Sequence, residues 1–144
     1  MANRDFRKGR GGLLKEAVSR ICVAFNTEFV RDDTVPIFQD KYGYIAIPIT
    51  DGFQSFYLMA RSYLFKGNLV SIEKSLIEEA HRRKMRFIMW IGEIDKWYIF
   101  DPKDILYFEN HTMSNRGNVE YLDFEAERLN KGYQIKFVEP KHIE

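Results

Sequence analysis

The sequence predicts a single α/β domain with a central mixed β-sheet flanked by helices. Three observations carry that expectation. A chain of 144 residues is long enough to bury one core. Its apolar residues recur at helical spacing near the start and at strand spacing afterwards. A second helical stretch then separates two strand-like runs, and a helix joining two strands of one sheet implies a right-handed crossover inside an otherwise antiparallel meander.

The elements follow in order. Gly9, Gly11 and Gly12 close a basic opening, and a helix is expected over 13–25, with Leu14, Val18, Ile21 and Phe25 on one stripe. Three strands come next: Val35-Pro36-Ile37-Phe38, Tyr44-Ile45-Ala46-Ile47-Pro48-Ile49 and Ser55-Phe56-Tyr57-Leu58-Met59-Ala60. Turn residues punctuate them at Asp40-Lys41-Tyr42-Gly43 and Thr50-Asp51-Gly52. Lys66-Gly67-Asn68 breaks the chain, and Ser71 is placed to cap a helix running to about Met85, with Ile72, Leu76, Ile77 and Ala80 buried. Phe87-Ile88-Met89-Trp90-Ile91 and Trp97-Tyr98-Ile99-Phe100 read as strands joined by Gly92-Glu93-Ile94-Asp95, and Asp101-Pro102 stops the second. Residues 107–119 read as loop, with short late strands at 119–122 and 133–138.

Composition excludes several classes. With 45% hydrophobic and 30% charged residues the chain is neither disordered nor fibrous. The single Cys22 cannot form an intrachain disulfide, and no apolar run reaches a membrane span, so a cytoplasmic location without a membrane partner is expected. Net charge is only +1, but the opening residues hold Arg4, Arg7, Lys8, Arg10 and Lys15 against Asp5. Residues 1–12 therefore read as a basic, flexible arm, fit either to bind phosphates or to solubilise, and 13–144 as the domain. The histidines 81, 111 and 142 stand far apart with no ligand spacing, and no phosphate loop or nucleophile elbow is present.

The element order resembles the PD-(D/E)XK restriction-endonuclease-like superfamily, in particular small members such as archaeal Holliday-junction resolvases. Arg7-Lys8-Gly9 followed by Glu16 on a helix looks like the resolvase start. Gly43-Tyr44-Ile45-Ala46-Ile47 looks like the Gly-Asp-hydrophobic strand, with Tyr44 in place of the metal-binding aspartate. Phe56-Tyr57-Leu58-Met59-Ala60-Arg61 looks like the strand bearing Glu-x-Lys, with Met59 and Arg61 at those positions. The helix over 71–85 and the Trp-containing strands after it complete the resemblance.

The resemblance implies a nuclease fold without its metal ligands. Hydrolysis of a phosphodiester by this route needs two carboxylates to hold Mg²⁺ and a lysine to orient the nucleophile. A neutral phenol and a thioether do not replace the carboxylates, and a permanently charged arginine suits phosphate contact. The expectation is a catalytically degenerate domain, without cofactor or metal, that binds DNA through Arg7, Lys8, Arg10, Arg61, Arg82 and Arg83. Arg82 and Arg83 equally suit the carboxyl end of a helix dipole. Tyr42, Tyr44 and Tyr63, beside Lys41, Arg61 and Lys66, are candidates for stacking on bases. Two alternatives stand: an active Mg²⁺-dependent nuclease with ligands relocated to Glu16, Asp33 or Asp51, and a protein-interaction or homodimeric adaptor that binds no nucleic acid.

Overall fold

In the computed structural model, residues 10–106, 112–116 and 118–126 are described. Arg7 and Lys8, His111 and His142, and the strand expected at 133–138 lie outside the described residues. Helix α1 (Arg10–Phe25) takes in Arg10, Gly11 and Gly12, which the sequence assigns to the arm. Its buried stripe is Leu13, Leu14, Ala17, Ile21 and Phe25, whereas Val18 is 44% exposed. The stripe is rotated toward the small Ala17, which lets the helix approach the sheet more closely than valine would. Asn26, at φ +47°, ends the helix in the left-handed conformation that asparagine tolerates.

The first expected strand is split in two. Strand β1 (Val30–Arg31) and strand β2 (Phe38–Gln39) both pair antiparallel with β3 (Ile45–Thr50), and residues 32–37 bulge away between them. Pro48 explains the gap. Its carbonyl accepts the Asp32 N–H at 3.0 Å, so its ring nitrogen, which carries no hydrogen, faces the same way, toward the place a continuous strand would occupy. Strand β4 (Ser55–Arg61) returns antiparallel along β3 after a turn in which Asp51 accepts the N–H groups of Phe53 and Gln54.

Ser71 does not cap a helix. It lies within β5 (Leu69–Glu73), and α2 (Lys74–Arg82) begins only after it, with Glu73 at the cap position. Val70 and Ile72 alternate inward with a period of two, and pairing with β9 (Val119–Glu125) outweighs the local capping preference of serine. After α2, strand β6 (Arg86–Ile91) runs parallel to β4, in register from Phe56↔Arg86 to Arg61↔Ile91. Strand β7 (Lys96–Phe100) forms a hairpin with β6, and Pro102 both stops it and opens the short α3 (Pro102–Leu106). Strand β8 (Thr112–Arg116) falls where the sequence reads as loop and pairs with β9.

The result is a single α/β domain in three layers. The central sheet has the order β1-β3-β4-β6-β7, with β2 on β3, and mixes parallel and antiparallel pairs. Period-two alternation sorts its side chains. Phe56, Leu58, Ala60, Ile88 and Trp90 meet α1, while Tyr57, Met59, Phe87, Met89 and Phe100 meet α2 and the second sheet, β5-β9-β8.

Candidate functional site

The carboxyl ends of the parallel pair β4 and β6 lie side by side, the place where open α/β sheets commonly leave a crevice. Arg61 is the last residue of β4. The β3–β4 register, Ile47↔Leu58 onward, brings Tyr44 opposite it, and the guanidinium carbon stands 4.1 Å from the centre of the Tyr44 ring. This is a cation–π pair held by two neighbouring strands. Arg61 Nη1 also donates to the Ala60 carbonyl at 3.1 Å. The backbone here is clamped by the β6–β7 turn. The Gly92 N–H donates to the Arg61 carbonyl at 2.9 Å, and the Glu93 N–H to that of Ser62 at 2.8 Å.

A cavity of about 120 Å³ opens beside the pair. Tyr42, Tyr44, Tyr63 and Tyr121 line it with Arg61, and Met89 and Ile91 lie toward the core. An open groove of about 420 Å³ adjoins it through Tyr63 and reaches Lys66, Glu93 and Ile94. The structure thus gathers Tyr42, Tyr44, Arg61 and Tyr63 at one cavity and places Lys66 next door. Met59, two residues before Arg61 on the same face, is 1% exposed and packed in the core.

Asp40 organises the tyrosines. Its Oδ1 accepts the backbone N–H of Tyr42 at 2.8 Å and of Tyr44 at 2.9 Å, while the Tyr121 hydroxyl donates to Oδ2 at 3.2 Å. The carboxylate is only 8% exposed, and these donors compensate its burial. Tyr121 then packs its ring 6.1 Å from that of Tyr42. Sequence reasoning missed Tyr121, Asp40 in this role, and Ser71, which lines the cavity and donates its hydroxyl to Asp123 at 2.6 Å. The signal for Tyr121 was the alternation of Tyr121 and Asp123 with Leu122 and Phe124, which marks a longer strand than the one expected.

The remaining candidates lie elsewhere. Asp51 sits in the β3–β4 turn, and Asp33 adjoins Asp32, whose carboxylate accepts the Ser55 hydroxyl at the start of β4. Both are at the opposite end of β4 from Arg61, roughly 20 Å along the strand. Glu16 belongs to α1, beyond the other face of the sheet, and pairs with Arg20 at 2.9 Å. The relocated acids are therefore not brought to Arg61. Among the described residues no group of three or more His, Cys, Asp or Glu side chains could hold a metal ion. Arg82 and Arg83 are also at the far end, and both pair with Glu79, Arg83 Nε at 2.6 Å. Arg10 opens α1.

Two side chains near the amino end titrate abnormally. Burial raises the Tyr57 phenol above its usual value, with Arg83 and Arg82 opposing the shift. The hydroxyls of Ser55 and then Thr34 hold the Asp32 carboxyl below the usual carboxylate range.

Compared with family models, with curated proteins and with solved structures, the chain has no match. No helix among the described residues is long and apolar enough to cross a membrane. Chemically, the site offers a fixed cation, flat aromatic faces and hydroxyls. Among the described residues the cavity beside Arg61 is lined by no carboxylate, whereas Glu93 lines the adjoining groove.

Proposed function

We propose that the chain is a nuclease-like domain of PD-(D/E)XK type in which Tyr44 and Met59 occupy the metal-ligand positions, and that it binds DNA in the cytoplasm without cutting it and without a bound metal. The observation that carries the reading is the Arg61–Tyr44 pair, 4.1 Å apart, at the mouth of a tyrosine-lined cavity on the carboxyl ends of β4 and β6. A guanidinium anchored over a ring is oriented before a phosphate arrives, so less rotamer freedom is lost on binding. Lys66 adds a second cation a few residues on. Affinity of this kind is dominated by phosphate neutralisation and falls steeply with salt.

The test is a gel-shift and cleavage assay on linear, single-stranded and four-way-junction DNA, with Mg²⁺ or Mn²⁺ against EDTA. The expected result is binding in every buffer, no cleavage, and loss of the shift in Arg61→Ala. Cleavage abolished by EDTA would overturn the reading in favour of a metal nuclease. Neither binding nor cleavage, together with elution at twice the monomer mass, would overturn it in favour of a homodimeric interaction module.

A further inference from the structure

We infer that the cavity and its adjoining groove take consecutive unpaired nucleotides of a single DNA strand, with one base inserted in the cavity and the next stacked on Tyr63. The inference rests on the DNA-binding reading and narrows it. Its first support is size. A cavity of about 120 Å³ is on the scale of one flat ring system. The mouth suits such a ring, because Tyr42 and Tyr63 are exposed and Tyr44 half-buried there, with the buried Tyr121, Met89 and Ile91 behind them.

The second support is Tyr63. It lines both the cavity and the groove, and it is 65% exposed. An aromatic ring left in water between two hollows, with a cation beside each, is a stacking platform of the kind that binds single strands with little sequence preference.

Charge fixes the path of the backbone. Arg61 lies at the cavity and Lys66 at the groove. Lys66 sits at φ +53°, in the left-handed region, at the tip of a turn closed by reciprocal bonds between Phe65 and Leu69 of 2.7 and 2.8 Å. The turn carries its ammonium to 5.4 Å from the Phe65 ring. Glu93, which also lines the groove, repels phosphate. Arg61 and Lys66 supply cations for successive phosphates, and the bases turn toward Tyr63 and the cavity. A duplex keeps its bases stacked inward and gains only the phosphate contacts.

Fluorescence anisotropy with a short labelled single strand, the same strand annealed to its complement, and an abasic strand of equal length tests this. The intact single strand is expected to bind about tenfold more tightly than either of the others at one salt concentration. Tyr63→Ala should weaken single-strand binding about tenfold, whereas Tyr63→Phe should bind as the wild type. Equal affinity for the abasic strand, or for the duplex, overturns the base-insertion inference while leaving DNA binding intact. No binding of any strand overturns both. The abasic comparison uses the wild-type chain, so it stands even if a variant fails to fold.

Discussion

The two ends of the β4–β6 pair carry cations of the same kind in opposite circumstances. At the amino end Arg82 and Arg83 share Glu79, and Arg86 Nε lies 3.9 Å from Asp101. At the carboxyl end Arg61 lies over Tyr44, and the nearby acid, Asp40, takes its hydrogen bonds from backbone N–H groups and a tyrosine hydroxyl. The count of basic residues is richer at the amino end, and there Arg82, Arg83 and Arg86 each lie against a carboxylate. The kind of contact differs between the ends: carboxylates meet the arginines at one, and a tyrosine ring meets Arg61 at the other.

Substitutions can break or sharpen this contrast. The largest effect is expected from Phe87→Ala. Phe87 is fully buried between Tyr57 and Phe100, with ring centres at 6.1 and 5.2 Å, in the strand that joins the two ends. Its truncation should cost about 3–5 kcal/mol in urea denaturation and degrade both ends together. Asp40→Ala should cost about 1–3 kcal/mol, because the donors of Tyr42, Tyr44 and Tyr121 lose their shared acceptor, and DNA affinity should fall with it.

Arg61→Ala is expected to weaken DNA binding about tenfold, or about 1.4 kcal/mol, with the urea midpoint unchanged. The double variant Arg82→Ala with Arg83→Ala should change affinity less than about twofold and stability by at most about 1 kcal/mol. If the double variant loses as much affinity as Arg61→Ala, the contrast between the ends is wrong.

The smallest effect is a pH dependence. Burial puts the folded-state pKa of Tyr57 above the ordinary phenol value of 10.0, so the unfolded chain releases this proton first. Its contribution is intact below about pH 10 and declines as the pH rises from there through the folded value. Tyr57→Phe should flatten that alkaline decline in urea midpoints measured across the range. An unchanged decline would assign it to another group.

Much of this architecture was legible in the sequence because it is written locally. The stripe of α1, the apolar runs of β3, β4, β6 and β7, and the face of α2 each repeat with the period of their own element. Tyr44 and Arg61 were legible as unusual residues at two strand positions. The split first strand, β5 and β8 were not. Ser71 carries a local signal for a cap, and only a partner strand some fifty positions away turns it into a ladder residue. The bond from Tyr121 to Asp40 spans 81 positions, a distance over which no periodicity speaks. The acids misled for a related reason. Asp33, Asp51 and Glu16 look equivalent in a line of residues, and only the strand direction and the sheet face separate them from Arg61.

The split edge opposite Pro48 has a consequence for solubility. An unbroken outer strand exposes a row of unpaired amide and carbonyl groups that any extended polypeptide can dock against, and runaway assembly begins there. In this chain the outer pairing stretches, β1 and β2, are two residues each, and residues 32–37 bow out between them. A second molecule approaching that rim finds too short a template to add a strand, so a proline in the neighbouring strand guards this edge of the sheet against growth.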